Sequence, residues 1–152
     1  MASSFSGSAV VDRPPEAVFD FLADGTNDPK FSPRVLEIAK TTDGATGVGT
    51  VYKSKVKDAG MTTDREFEIT EFERPSRIRW TERSKNMITV PNGGYDLEAA
   101  GAGTKLTIFN EFDGHGLGKL LLPLALRSAR KGAGDFAAAI KRAAESEIPQ
   151  KP

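Results

Sequence analysis

Between residues 52 and 69 the chain alternates, and the two halves of the alternation carry opposite charge. Tyr52, Ser54 and Val56 interleave with Lys53, Lys55 and Lys57. After a turn near Ala59-Gly60, Asp64, Glu66 and Glu68 interleave with Arg65, Phe67 and Ile69. A period of two belongs to a strand with one buried and one wet face. A turn midway between Gly60 and Met61 sets Lys57 opposite Asp64, Lys55 opposite Glu66 and Lys53 opposite Glu68. Three opposite-charge pairs on one face, each worth about 0.2–1 kcal/mol, predict both sidedness and register. The charged face is outside. Tyr52 opposite Ile69, Ser54 opposite Phe67 and Val56 opposite Arg65 then point inward.

The rest of the chain extends this sheet. Residues 5–11 and 35–40 read as strands. Between them Pro14 and Pro15 open a helix that puts Val18, Phe21 and Leu22 on one face and stops before Gly25. Residues 27–33 and 41–49 are rich in turn formers and read as loops. After a turn at residues 73–76, a strand pairs Ile69 with Trp80 and Phe67 with Glu82, and Arg79 and Arg83 join the outer acidic row. Residues 84–92 read as an irregular crossing. Tyr95 and Leu97 then face Ile108 and Leu106 across a turn at residues 100–103, and Asn110 and Phe112 continue the inner row.

After Gly114-His115-Gly116 the period changes. Leu117, Leu121, Leu124, Ser128, Gly132, Phe136, Ile140 and Ala143 recur at helical spacing. Pro123 fits best in the first turn, which starts the regular helix near Leu120. An antiparallel sheet with one charged face must cover the other, and this helix is the only element large enough. The predicted fold is α+β: a curved antiparallel sheet of six or seven strands around a long C-terminal helix, with two short helices after the first strand. A strongly curved sheet stands off from a single helix and leaves space between them.

Composition narrows the chemistry. The 152 residues suit one domain spanning 1–152. Twenty-one basic and 21 acidic side chains cancel, which argues against nucleic acid as the main partner. Without cysteine there is no disulfide, thiol catalysis or thiolate metal site, and one histidine excludes an all-histidine site. No metal or cofactor is expected. Gly44, Gly47 and Gly49 open no helix after a strand, so there is no dinucleotide fingerprint. Asn92-Gly93-Gly94 reads as a turn or bulge. The longest apolar run, residues 120–126, is too short to span a bilayer. Residues 1–5 lack the features of a secretory signal, so the expected location is cytoplasmic, without integral membrane association.

Several short motifs occur in a characteristic order. Val11-Asp12-Arg13-Pro14-Pro15-Glu16-Ala17-Val18-Phe19 is followed by Gly47-Val48-Gly49-Thr50, Glu73-Arg74-Pro75 and Gly103-Thr104-Lys105-Leu106-Thr107 before the final helix. In this the chain resembles the START-related, birch-pollen-allergen-like helix-grip superfamily, and within it the bacterial polyketide cyclase/dehydrase and lipid-transport group. The resemblance implies a cavity between sheet and helix for hydrophobic or amphipathic small molecules. It implies no universal catalytic set. Phe31 stands where many relatives carry tryptophan, and Gly132 and Gly134 interrupt the helix, allowing close approach to the sheet or a kink.

The inner face carries Tyr52, Ser54, Arg65, Glu82, Tyr95 and Asn110 among the apolar residues. Arg65 and Glu82 are diagonal neighbours, and buried charges are costly unless paired or wet. Three readings stand: a structural ion pair, a polar anchor for a ligand, or Glu82 as general acid/base with Arg65 setting its protonation. The candidate catalytic residues are Glu82 and Arg65. The candidate ligand-binding set is Tyr52, Ser54, Arg65, Phe67, Trp80, Glu82, Tyr95, Asn110, Leu121 and Phe136. Leu106, Ile108 and Leu124 read as core. Leu122 and Leu126 project from the main stripe and Leu120 lies at its edge, suiting a membrane-touching lip, a dimer seam or packing for the first helices. His115 reads as a surface loop residue, with proton shuttling as the alternative. The expected function is binding of a small hydrophobic or aromatic molecule by a monomer or homodimer. A polyketide cyclase or dehydratase using the same cavity, and a chaperone-activator-like interaction module, are the alternatives.

Overall fold

The alternating segment forms the expected hairpin, and five further antiparallel pairings extend it into one sheet. The computed structural model describes residues 3–58 and 60–150. Ala59, on which the predicted turn falls, and Met1 and Ala2 of the N-terminal reading lie outside them. The elements are β1 (Ser4–Val11), α1 (Pro15–Ala23), a 3-10 helix (Gly25–Lys30), β2 (Val35–Lys40), β3 (Val51–Asp58), β4 (Met61–Glu73), β5 (Arg77–Glu82), β6 (Ile88–Ala100), β7 (Gly103–Gly114) and α2 (Gly118–Glu147). The seven strands are ordered β1-β7-β6-β5-β4-β3-β2.

The hairpin register differs from the predicted one by two residues. Lys55 faces Asp64, Lys53 faces Glu66, and Lys57 faces Thr62. The turn falls one residue earlier than the charge ladder suggested: Asp58 pairs with Met61, and Gly60 supplies a left-handed φ of +78°. A slip of two keeps every side chain on its expected face. Tyr52 now opposes Phe67, Ser54 opposes Arg65 and Val56 opposes Thr63. Glu68, left without a lysine, takes Arg83 at 3.5 Å.

The next pairings are as read: Ile69 with Trp80, Phe67 with Glu82, Tyr95 with Ile108 and Leu97 with Leu106. Arg79 is on the outer face but buried. It bonds Asp96 at 2.8 Å and lies 4.7 Å over the Phe109 ring, in the space left by Gly94. Strand β6 starts within the predicted crossing, at Ile88, with a register shift between Thr89 and Asn92. Gly93 and Gly94 therefore lie inside a strand. The predicted loop at 27–33 overlaps a 3-10 helix, capped by Asp24 accepting from the Thr26 amide at 3.0 Å.

Helix α2 runs unbroken for 30 residues and packs principally on β1 and β7, at one side of the sheet. It begins before Leu120, with Pro123 beyond its first turn. Its buried face is Gly118, Leu126, Ala133, Ala137, Ile140 and Ala144, so the predicted stripe is rotated in the first half. Leu124, read as core, is exposed, as are Leu117 and Leu121, whereas Leu126 turns inward. Five leucines in eight residues make several faces equally apolar, and close backbone approaches decide among them. One is at Gly7 of β1, where a Cβ would stand 2.7 Å from the Ala133 carbonyl carbon, and another at Gly118 of α2, where it would stand 2.6 Å from the Met87 carbonyl carbon. Gly132 and Gly134, expected to serve this purpose, have nothing within 4 Å of such an atom.

The core gathers at one end, where Val18, Phe19, Phe21 and Leu22 of α1 meet Leu97, Leu106, Ile108, Ile140 and Ala144. The opposite half of the concave surface, on β3 to β5, lies away from the helix's principal contacts.

Candidate functional site

The concave row running across five strands is Ile69, Trp80, Gly93, Asn110 and Phe5. Gly93 is the reason its polar members meet. A Cβ there would collide with Asn110 Oδ1 and stand 2.5 Å from Trp80 Nε1. Without one, the indole N–H donates across the strand to Asn110 Oδ1 at 3.1 Å. Because an indole nitrogen only donates, the amide must present its oxygen to Trp80. Asn110 Nδ2 therefore points elsewhere and has no partner among the described residues. Tyr95 packs edge-on against Trp80, ring centres 5.0 Å apart. Phe67 and Trp80 stay half-buried although their neighbours are core.

Arg65 and Glu82 do meet. The Glu82 side chain is 0% exposed and that of Arg65 16%. Four groups donate to the carboxylate: Arg65 Nη1 (3.1 and 3.2 Å), Ser84 Oγ (2.6 Å), Asn86 Nδ2 (3.0 Å) and the Val90 amide (2.9 Å). Both oxygens are thus filled by the protein. Arg65 also donates from Nε to Thr63 Oγ1 (3.1 Å) and from Nη1 to the Ile88 carbonyl (2.8 Å). Its Nη2 has no protein acceptor among the described residues. The cluster ties the start of β6 to β4 and β5 and leaves one guanidinium edge unused.

The remaining predicted residues separate into two groups. Ser54 is buried directly opposite Arg65. Tyr52 is buried too, but its hydroxyl donates to the Ala23 carbonyl (3.3 Å) and meets Thr46 Oγ1 at 2.7 Å, holding loop and helix to β3. Phe136 packs on Phe31, centres 6.0 Å apart, toward the closed end. Leu121 is exposed near the start of α2. His115 is exposed, with Nε2 2.8 Å from Thr89 Oγ1.

Asp28 of the 3-10 helix is a group the sequence reading missed. No donor meets its carboxylate among the described residues. Burial, with the Asp24 charge added, pushes it up to about 7. The Tyr95 phenol is raised well above its usual value, by burial first and then by the Asp28 charge, so the two acids sense each other. In sequence Asp28 sits among turn formers with no period to betray it. Only packing half-buries it.

A separate groove of about 400 Å³ lies on the outer face between Glu73, Arg77, Asp96, Glu98 and Lys105. It shares no residue with the concave cluster, and its charges of both signs are already bridged in part.

The architecture recurs among solved proteins. The aromatase/cyclase Zhui from Streptomyces sp. R1128 superposes with a TM-score of 0.76 at 15% identity, over 96% of this chain and 95% of that one. TTHA0849 from Thermus thermophilus gives 0.79 at 14%, over 96% and 99%. The polyketide-cyclase-like protein Cgl2372 from Corynebacterium glutamicum gives 0.66 at 21%, over 97% and 94%. At such identities the likeness establishes the helix-grip fold and nothing finer. No protein with a curated description matches the sequence. The family model described as "Polyketide cyclase / dehydrase and lipid transport" matches residues 2–145. The chain therefore belongs to the polyketide cyclase/dehydrase and lipid-transport family.

Proposed function

We propose that the concave face binds a small hydrophobic or aromatic molecule carrying an acceptor oxygen, such as a carboxylate, phenolate or ketone. The observation behind this reading is the pair of unused donors, Asn110 Nδ2 and Arg65 Nη2, beside half-buried Trp80 and Phe67. Specific small-molecule sites have this composition: apolar walls and a few polar groups that set orientation. In this reading Glu82 is a positioning residue that holds the guanidinium, and Tyr52 shapes the wall through its ring.

A catalytic version of the same site is favoured by one observation. Asp28 is an acid poised to titrate near neutrality beside Tyr95. Cyclisation or dehydration of a polyketide-like substrate requires proton transfer beside a stabilised enolate oxygen. Asp28 would move the proton, and Arg65 and Asn110 would hold the oxygen.

The test uses Trp80, the one tryptophan, as reporter. Fluorescence titration with 2-naphthoic acid is compared in wild type and Asn110→Asp. The substitution keeps the acceptor for the indole and replaces the free donor by an oxygen. Affinity should fall roughly 10- to 100-fold, the worth of a hydrogen bond to a charged group. Unchanged affinity for a probe that quenches Trp80 overturns the orientation. No binding of this or other acceptor-bearing aromatics overturns the site.

A further inference from the structure

The outward face of a helix on a soluble domain is normally its polar one. In the first half of α2 it is apolar. Leu117, Leu120 and Leu124 are 70%, 78% and 67% exposed. At 100° per residue they lie opposite Gly118, Leu126 and Ala133, which face the sheet.

The charge along this part of the helix has one sign. Between Asp113 and Asp135 there is no acidic residue, while Lys119, Arg127, Arg130 and Lys131 fall within that interval, in a chain of zero net charge. Arg127 and Lys131 continue the outward face by one and two turns beyond Leu124. Lys119, Arg127 and Lys131 have no acidic partner among the described residues. No helix of the described residues is long and apolar enough to cross a membrane.

We infer that the first half of α2 docks the protein on an anionic lipid surface, with Leu117, Leu120 and Leu124 entering the interface and Arg127 and Lys131 meeting the headgroups. Interfacial helices combine this kind of exposed apolar ridge with basic flanks. A second copy of the chain fits less well, because antiparallel twofold pairing of the leucines leaves Arg127 and Lys131 at the ends of the seam without an anionic partner. The inference stands on the outer surface of α2 and is independent of what the concave face binds.

Vesicle sedimentation of the full chain tests it, using phosphatidylcholine with and without phosphatidylglycerol at low and high salt. Binding is expected to the anionic vesicles and to weaken with salt. Arg127→Gln with Lys131→Gln should lower partitioning about 25-fold, near fivefold per charge. Leu120→Ser with Leu124→Ser should lower it roughly tenfold or more. Because these side chains face solvent, unchanged melting temperatures confirm that the variants fold. Equal or absent binding to the two vesicle types overturns the inference, as does wild-type binding by the leucine variant. A dimer in sedimentation velocity that the leucine substitutions dissociate also overturns it, by assigning the face to a second copy.

Discussion

Replacing Glu82 by glutamine separates a structural carboxylate from a chemical one. The wild-type side chain has no exposure and takes hydrogen bonds from Arg65, Ser84, Asn86 and the Val90 amide. Glutamine preserves the shape but removes the charge and turns one acceptor into a donor, so that donors face donors. Breaking one partner of a buried ion pair costs about 3–5 kcal/mol. Arg65 keeps 16% exposure and therefore some water, which places the cost near the lower end, about 3 kcal/mol. For a chain of this length, that lowers Tm by about 6–12 °C. Differential scanning calorimetry on wild type, Glu82→Gln, Arg65→Met and the double variant Glu82→Leu/Arg65→Met checks the figure. The double variant removes both charges together and should recover most of the loss. A Glu82→Gln protein that melts within 2 °C of wild type, roughly 0.5–1 kcal/mol, refutes the structural assignment. Turnover lost without a change in Tm would make Glu82 a reacting group instead.

Two further outcomes follow from the packing. Gly7→Ala places a methyl group against the Ala133 backbone, which cannot swing aside as a side chain can. Overpacking of this kind costs about 1–3 kcal/mol, visible as a lower urea midpoint; an unchanged midpoint contradicts the close approach of α2 to β1. Asp28 binds its proton more tightly folded, at about 7, than unfolded, near 3.8. Between those values the native state holds the extra proton, so stability declines as pH rises from 4 to 7 and stays lower above. Asp28→Asn should flatten that slope in thermal melts and raise Tm at pH 8 by a few degrees, since partial exposure discounts the full effect. A slope that survives the substitution assigns it to other groups.

The sheet was legible because its signals are local. Lysines alternating with Tyr52, Ser54 and Val56, and acids alternating with Phe67 and Ile69, reveal the faces without any tertiary information. The slip of the hairpin by two residues shows the limit. Charge pairing at the surface is weak, and turn closure at Asp58 and Met61 outweighs a third lysine–acid pair. The meeting of Arg65 and Glu82 was also readable, since each strand's period and the Phe67–Glu82 pairing set them on one face. Their saturation was not. It depends on Ser84, Asn86 and Val90, which come from a segment with no periodicity. The role of Gly93 was hidden likewise, because an absent side chain matters only through what lies over it.

By itself, then, the sequence determined the element order, the faces of the strands, the family and the presence of one long helix. Each of these follows from periodicity or short motifs, which depend on neighbours within a few residues. The tertiary structure alone decided which face of α2 is buried, what shields Asp28 from part of the solvent, and which donors on the concave face remain unused. Those properties come from close packing between segments distant in the chain: Gly7 against Ala133, the 3-10 helix near Tyr95, and Trp80 across Gly93 to Asn110. No local pattern encodes them, because each is the residue of a competition among several apolar faces or several partners that only the assembled core resolves.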